Sequence, residues 1–235
     1  MSAESSSPRH VLMVITSNGF LGKSGRPSGY WGEELAAPYR VFEKAGLEIV
    51  LASPAGGEPP LDPMSLGQYE TDVVKTFRAD PIARARVAKT ARLADVAERS
   101  FDGIFVVGGF GVMWDVVGDP TLQRLVVRHL GAGRPVAAVC HAPALLANTK
   151  VNEASVLAGR AATGFSDAEE EAVSLGVERP YVESLLRAAG ARYEKSGSVF
   201  APHVVRDGLL LTGQNPASSE ELATMLVQAV GKAAS

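Results

Sequence analysis

Short apolar runs alternate along the chain with longer segments in which apolar residues recur every three or four positions. The runs are rich in β-branched residues and end in turn-forming residues, which predicts buried strands. Four such runs occupy residues 10–16, 48–54, 101–109 and 134–140. Between the first two, the sequence predicts a helix over 33–46 that ends at Gly46 as its left-handed cap. Its apolar face carries Leu35, Tyr39 and Phe42.

The middle of the chain continues this alternation. Residues 56–67 form a loop rich in Pro and Gly, and residues 80–96 predict one or two helices. The segment 119–133 predicts a helix with Pro120 near its start and Gly131 just past its end. A strand, a helix and a second strand at this spacing require parallel pairing of the strands.

Two local signals follow near the C-terminus. Asp207 and Gly208 separate two β-rich runs, which predicts a β-hairpin. Ser218 and Glu221 have the spacing of a capping box at the start of the last helix, and Gly231 is placed to end that helix.

Strands and helices alternate without internal repeats, which predicts an α/β sandwich around a mostly parallel sheet. With 235 residues the chain is long enough for one large domain, predicted over 10–235 after a flexible tail over 1–9. In such sheets, sites form at the carboxyl ends of the strands.

Composition narrows the function classes. Hydrophobic residues make up 46% and charged residues 21%, with a formal net charge of −3, so the chain has no basic patch for nucleic acid. No apolar stretch is long enough to span a membrane, and the polar opening lacks a signal-peptide core. We therefore expect a cytoplasmic protein. The single cysteine excludes an internal disulfide and Cys-rich zinc sites, and the four scattered histidines predict no metal site.

That cysteine, Cys140, ends the fourth predicted strand, and a helix begins near Ala142 or Pro143. A residue on such a sharp turn presents its side chain to the pocket, often with strained backbone angles. The free N–H groups of the helix's first turn favour a thiolate, which predicts a lowered pKa for the thiol. The alternative is an inert, buried cysteine.

Three neighbouring features could complete a site with this thiol. His141 is a candidate proton carrier, although adjacency in sequence does not establish a contact between the two side chains. Gly108 and Gly109 end the neighbouring strand, where their N–H groups could bind an oxyanion or simply form a turn. Glu33 and Glu34 lie in the first turn of the first helix, as complements to its dipole or as a general base.

Five stretches in this order together resemble the DJ-1/PfpI superfamily, and more closely its Hsp31-like, glutathione-independent glyoxalase branch. They begin with SGYWGEELAAPYRVFEKAGLEIVLASPAGGEPPLDPMS and continue with FDGIFVVGGFGVMWD, AAVCHAPALL, ATGFSDAEEEAV and LLLTGQNPASS. The stretches span roughly residues 29–219, nearly the whole chain. The set of EELAAP and GQNPASS around the Cys-His pair is the most specific part.

The resemblance implies a flavodoxin-like three-layer sandwich with a cysteine on a nucleophile elbow. The implied catalytic residues are the nucleophile Cys140, the helix carboxylate Glu34, the proton carrier His141 and its acidic orienter Glu170. Asp167 and Glu169 are alternatives for the orienter.

One residue departs from the branch, which often has GGHG where this chain has GGFG. Phe110 occupies the histidine position, and its ring cannot donate a hydrogen bond, which puts the substrate in doubt more than the chemistry of the elbow. The backbone donors of Gly109 and Phe110 could still bind an oxyanion, and Trp114 could line the pocket or belong to the core.

The activity implied by the resemblance is conversion of methylglyoxal, or a related 2-oxoaldehyde, to D-lactate or the corresponding 2-hydroxy acid through a cysteine hemithioacetal. It needs a small-molecule aldehyde and no cofactor, metal, nucleic acid or membrane, and relatives imply a homodimer. Two other functions remain open: a cysteine amidase, peptidase or hydratase of the same fold, and a redox-sensing or holdase stress protein without catalysis.

Overall fold

The four predicted strands all form, and they lie in one central sheet of the computed structural model, which describes residues 9–232. The tail predicted over 1–9 lies outside the described residues apart from Arg9, and the single domain over 10–235 stays a prediction. The strands are β1 (His10–Val14), β2 (Glu48–Ser53), β3 (Ala91–Arg92), β4 (Gly103–Val106), β5 (Val136–Val139), β6 (Lys150–Val151), β7 (Ala154–Ser155), β8 (Ala161–Ala162), β9 (Arg192–Tyr193), β10 (Val204–Asp207) and β11 (Leu210–Gly213).

The helices fill the connections between the strands. They are α1 (Gly32–Lys44), α2 (Asp72–Ala79), α3 (Pro81–Val87), α4 (Leu93–Val96), α5 (Val112–Asp115), α6 (Pro120–Gly131), α7 (Pro143–Asn148), α8 (Asp167–Val173), α9 (Val182–Ala188) and α10 (Ser219–Lys232). Across residues 9–232, none combines the length and apolarity that crossing a membrane requires.

The sheet order is β10-β11-β5-β4-β1-β2-β3, and every pair is parallel except the β10–β11 hairpin. The chain builds outward from β1 through β2 to β3, and then returns to add β4 and β5 on the other side of β1. This reversal opens a crevice at the carboxyl ends of the central strands, where ligands bind in open α/β sheets. The loops after β1, β4 and β5 therefore meet at one edge.

The central strands are apolar throughout because both of their faces are covered. All of β4 and β5, and all of β1 except His10, is buried. Helices α1 and α10 pack against each other and on the sheet, while α4, α6 and α7 form a second group of contacting helices. The rings of Phe42 on α1 and Phe105 on β4 meet edge to face at 5.6 Å. The predicted flavodoxin-like three-layer sandwich is confirmed.

Two glycines predicted to follow helices are instead part of them. Gly131 is the last residue of α6, and the left-handed residue after that helix is Gly133, with φ of 75°. Gly231 lies within α10, which continues to Lys232. A glycine costs a helix only about 1 kcal/mol relative to alanine, and packing of the helix can outweigh that cost.

The hairpin near the C-terminus forms, with Gly208 and Leu209 as its two-residue turn between β10 and β11. The capping box predicted for Ser218 with Glu221 is wrong. The Ser218 hydroxyl donates to Asn215 Oδ1 at 3.0 Å, within a tight turn that precedes α10. The Ser218 hydroxyl therefore bonds a side chain that precedes α10, instead of the predicted partner Glu221 inside that helix.

Candidate active site

Cys140 occupies the sharp turn between β5 and α7, and its φ of 62° is left-handed. Such a conformation is strained for a residue with a side chain and persists only where its surroundings hold it. Here the Cys140 N–H donates to the Gly213 carbonyl at 2.9 Å, and its carbonyl accepts from the Phe165 N–H at 2.8 Å. These two backbone bonds fix the elbow and direct the thiol into a pocket, although only 3% of the residue is exposed.

The Glu34 carboxyl lies against this thiol because Gly108 has no side chain. A Cβ at Gly108 would lie 2.3 Å from Glu34 Oε2, 2.4 Å from the Val139 carbonyl and 3.0 Å from Cys140 Cβ. Glu34 is fully buried, and neither of its oxygens has a hydrogen bond of normal geometry, although the Cys140 thiol and the Gly108 amide lie beside them. Substitution of Gly108 by any larger residue would separate the carboxyl from the sulfur.

The two carboxylates at the start of α1 therefore differ. Glu34 points into the site, whereas Glu33 lies half-buried at the mouth of the pocket and accepts a hydrogen bond from the Thr71 hydroxyl. The sequence left open whether these carboxylates complement the helix dipole or act as a general base. The position of Glu34, buried against the thiol, does not fit a surface complement to the dipole.

Burial raises the pKa of Glu34 to about 8, and the contacts with Cys140 and the Gly108 amide offset only part of the increase. Burial also raises the pKa of the Cys140 thiol well above its ordinary value, and the Glu34 carboxyl adds to the increase. The Gly109 amide opposes this effect without cancelling it. The prediction of a lowered thiol pKa is therefore wrong, because enclosure of the sulfur outweighs the helix terminus.

His141 contacts the thiol despite being its neighbour in sequence. Its Nδ1 lies 3.1 Å from Cys140 Sγ, and its Nε2 lies 2.9 Å from Glu170 Oε1. An ionised carboxylate can only accept a hydrogen bond, which assigns the proton of the neutral imidazole to Nε2. Nδ1 is then free to accept the thiol proton. A thiol, an imidazole and a carboxylate thus form one line in which a proton can move from sulfur to nitrogen.

The structure brings Glu170, rather than its acidic neighbours, to His141. Asp167 accepts a hydrogen bond of 3.1 Å from the Ser184 hydroxyl. Glu169 forms a capping box with Ser166 at the start of α8. The three carboxylates lie within a single helical turn and face different directions, and Glu170 is the one that contacts the imidazole.

Sequence reasoning missed Arg179, which holds the other oxygen of Glu170. Burial alone would raise the pKa of Glu170, but His141 and Arg179 outweigh it and hold the pKa below its ordinary value. The guanidinium also lies over the Phe110 ring, 5.2 Å from its centroid. Arg179 lies between α8 and α9, where no motif or periodicity marks it.

Phe110, which replaces the histidine common in the branch, packs beside the imidazole. The centroids of Phe110 and Phe165 lie 4.7 Å and 4.6 Å from that of His141. Trp114 takes no part in the pocket: its indole packs against Gly22 and the cluster around Leu21. The structure therefore places Phe110 at the site, and the half-buried Trp114 outside the pocket lining, beside a small apolar cluster of Leu21, Phe110 and Leu175.

The pocket above Cys140 has a volume of about 630 Å³. Its lining comprises Trp31, Glu33, Met64, Tyr69, Thr71, Gly109, Phe110, Cys140, His141, Phe165, Ala172, Val173, Phe200, Asn215, Pro216 and Ala217. Phe165, Phe200 and Asn215 were not predicted as site residues. The pocket thus joins a reactive floor to mainly apolar walls.

The family model described as DJ-1/PfpI family matches residues 28–229, which is most of the chain. The chain belongs to the DJ-1/PfpI family. Glutathione-independent glyoxalase HSP31 of Saccharomyces cerevisiae is 29% identical to this DJ-1/PfpI protein, over 95% of the chain and 98% of the yeast protein. Glyoxalase 3 of Candida albicans is 27% identical over 93% of the chain and 97% of its own length.

Solved structures share the fold of this DJ-1/PfpI protein over almost its whole length. Glyoxalase III from Candida albicans matches with a TM-score of 0.84 at 25% identity, covering 94% of this chain and 97% of that one. Rapid Encystment Protein 24 kDa of Francisella tularensis matches with a TM-score of 0.89 at 32% identity, covering 94% and 99%. The family resemblance is confirmed.

Loss of one partner from the buried ion pair between Arg179 and Glu170 is expected to cost more stability than loss of one partner from a more exposed pair. Arg179→Met should lower the free energy of unfolding by about 3 kcal/mol near pH 7, because it removes one partner of a buried carboxylate. Glu170 has a lowered pKa, so its stabilising contribution is present at neutral pH and is lost as the pH falls through acidic values. The deficit of the variant should therefore shrink toward about pH 4.

Urea unfolding at the two pH values measures this effect. Arg187→Met is the control: the exposed Arg187 pairs with Glu183, a carboxylate that is also buried but keeps Lys195 as a second cation, so the loss should be at most about 1 kcal/mol. Equal losses in the two variants would contradict the assignment of Glu170 and Arg179 as a buried pair.

The raised pKa of Glu34 predicts a different pH dependence of stability. The folded protein holds this proton up to about pH 8, whereas the unfolded chain releases it near the ordinary value of about 4.3. The free energy of unfolding should therefore fall by about 1.4 kcal/mol per pH unit between these limits. Glu34→Gln should remove this decline, whereas Glu43→Gln, on the exposed side of α1, should keep it. Urea unfolding from acidic to alkaline pH measures the free energy of unfolding of all three proteins. A curve for Glu34→Gln that runs parallel to that of the wild type would refute the prediction.

Proposed function

We propose that the protein converts methylglyoxal or a related 2-oxoaldehyde to the 2-hydroxy acid, D-lactate in the case of methylglyoxal, without glutathione. The observation that carries the proposal is a single thiol in contact with both a buried carboxyl group and an imidazole. The first is Glu34 and the second is His141. Similarity to glutathione-independent glyoxalase HSP31 of Saccharomyces cerevisiae and to glyoxalase 3 of Candida albicans supports the same chemistry.

The first step is addition of the Cys140 sulfur to the aldehyde carbon. His141 Nδ1, 3.1 Å from the sulfur, accepts the thiol proton and delivers it to the aldehyde oxygen. The carbon–oxygen double bond becomes a single bond to a hydroxyl group, and the product is a hemithioacetal. Glu170 keeps the imidazole oriented and stabilises its charged form while it carries the proton. The raised thiol pKa makes this base necessary.

The second step moves a hydrogen between the two carbons. Glu34, as a carboxylate, removes the proton from the carbon bonded to sulfur, and the electron pair forms the carbon–carbon double bond of an enediolate. The carboxylic acid then returns a proton to the neighbouring carbon, while His141 moves the hydroxyl proton from one oxygen to the other. The product is a 2-hydroxy thioester, with no net gain or loss of electrons. A pKa of about 8 suits this task, because a general base works best when its pKa is near the working pH.

The third step releases the acid. A water molecule adds to the thioester carbonyl, the carbon–sulfur bond breaks, and Cys140 recovers its proton. The Gly109 amide, which faces the sulfur, supports the developing charge near that carbon.

A cysteine hydrolase is the second candidate, and the line of Cys140, His141 and Glu170 favours it. Acyl transfer needs a nucleophile, a base and an orienting carboxylate, and all three are present. Acyl transfer, however, gives no role to Glu34, the second carboxyl group, which is buried against the sulfur. Because burying Glu34 costs stability at neutral pH, its presence favours the proton transfer between carbons.

Incubation of methylglyoxal with the purified protein in the absence of glutathione tests the proposal. Proton NMR should show lactate, and a stereospecific lactate dehydrogenase should identify the D form. Cys140→Ala should abolish the product because no hemithioacetal forms. Glu34→Gln should lower the rate by at least about 100-fold, the contribution expected of a general base. Glu43→Gln, a carboxyl on the same helix with an exposed side chain, should behave as wild type.

Two outcomes would refute the proposal. One is the absence of lactate with the wild-type protein, and the other is equal lactate formation by the Cys140→Ala variant. Hydrolysis of peptide or amide substrates with a trapped acyl-cysteine, and no aldehyde turnover, would favour the hydrolase instead.

The pH dependence of kcat/KM is expected to follow Glu34. Only the carboxylate accepts the carbon-bound proton, so kcat/KM should rise about tenfold per pH unit below neutrality and level off near pH 8. Steady-state rates with methylglyoxal over this range measure the curve, and Glu43→Gln should leave its midpoint in place. A profile that is flat from acidic to alkaline pH would show that Glu34 is not the base.

A further inference from the structure

Five aromatic side chains form a continuous surface in the pocket, from its mouth to the imidazole. We call Tyr69, Trp31, Phe110, Phe165 and Phe200 the aromatic wall, and all of them line the pocket. The ring centroids are separated by 5.9 Å from Tyr69 to Trp31, 6.4 Å from Trp31 to Phe110, and 6.3 Å both from Phe110 to Phe165 and from Phe165 to Phe200. Tyr69 and Phe200 are 54% and 47% exposed, although large aromatic groups are usually buried.

The volume of the pocket exceeds what a three-carbon substrate needs. At about 630 Å³ it lies within the range of roughly 300–1,000 Å³ that accommodates drug-sized ligands. Methylglyoxal bound to Cys140 at the floor would place a single methyl group above the sulfur. The outer rings of Tyr69 and Phe200 would remain in contact with water.

The charge of the lining disfavours an ionic substituent. None of the described residues that line the pocket is Lys or Arg, so an anionic group would find no partner there. The acid at the mouth is Glu33, which already accepts a hydrogen bond from Thr71 and whose pKa is raised by burial. Glu33 is therefore poorly available to a cation, and an acid at this place offers no attraction to a carboxylate such as the 2-hydroxy acid product. The group that fits the wall is uncharged and apolar.

We propose that this site selects 2-oxoaldehydes whose second carbon carries a long alkyl or aryl group, which covers the aromatic wall, over methylglyoxal. The inference rests on the proposed function and specifies its substrate class. The reacting carbons lie at Cys140 in every case, and the substituent extends past Phe165 and Trp31 toward the mouth. Its burial stabilises the transition state through contacts that methylglyoxal cannot make.

A series of straight-chain alkylglyoxals, from methylglyoxal to hexylglyoxal, isolates this effect, because chain length hardly changes the reactivity of the aldehyde. In the absence of glutathione, kcat/KM should rise about fourfold per methylene, the factor that corresponds to about 0.8 kcal/mol of transfer free energy. Values that stay flat or fall along the series would overturn the inference. Turnover of no member would contradict the proposed function and the inference with it, whereas turnover of methylglyoxal without selectivity contradicts the inference alone.

Variants at the exposed end of the wall test whether the rings cause the selectivity. Tyr69→Ala should lower the ratio of kcat/KM for hexylglyoxal to that for methylglyoxal by about tenfold, the loss expected for one or two uncovered methylenes. Tyr69→Phe retains the ring and should retain the ratio. Ile82→Ala is the matched control, since Ile82 is 70% exposed and lies outside the pocket, and it should leave both values unchanged. An unchanged ratio in Tyr69→Ala would also overturn the inference.

Discussion

The site depends on the close approach of a buried carboxyl group to a buried thiol, which is possible only because Gly108 lacks a side chain. The carboxyl of Glu34 occupies the space that a Cβ at this position would take, against the backbone of Val139 and the side chain of Cys140. Gly108 follows β4 and Cys140 follows β5, and these strands are parallel neighbours, so their carboxyl ends meet. Among the described residues no lysine or arginine pairs with this carboxyl group, which therefore retains its proton up to about pH 8.

The contrast between Glu34 and Glu170 follows from the same constraint. Both carboxyl groups are buried, yet the pKa of Glu34 is raised to about 8 and that of Glu170 is held below its ordinary value. The difference lies in their partners, because Glu170 contacts His141 and Arg179, whereas Glu34 contacts a thiol and an amide. Two carboxyl groups whose environments separate their pKa values are typical of acid–base catalysis. One can exchange protons near neutral pH, and the other remains an anion that orients the imidazole.

The sequence predicted the order of elements and the position of the elbow, because strands buried on both faces leave apolar runs that end in glycine or cysteine. It also brought Cys140, Glu34 and His141 together, through the family resemblance. The prediction of a lowered pKa for the Cys140 thiol was wrong because the sequence shows that a helix follows the thiol but not how deeply the sulfur is buried. Arg179 and Phe200 escaped prediction because their places at the site arise from tertiary packing of loops, which leaves no local pattern.

The apolar walls and the reactive floor are one physical arrangement rather than two. The rings of Phe110 and Phe165 that flank His141 line the same pocket as Cys140, and burial of the thiol and of the Glu34 carboxyl raises both pKa values. A phenyl ring at position 110 gives up a hydrogen-bond donor but extends this dry surface toward Trp31. A substrate that covers the rest of the wall would complete the exclusion of water while the reaction proceeds. Selectivity for an apolar substituent and a carboxyl base with a raised pKa therefore reinforce each other.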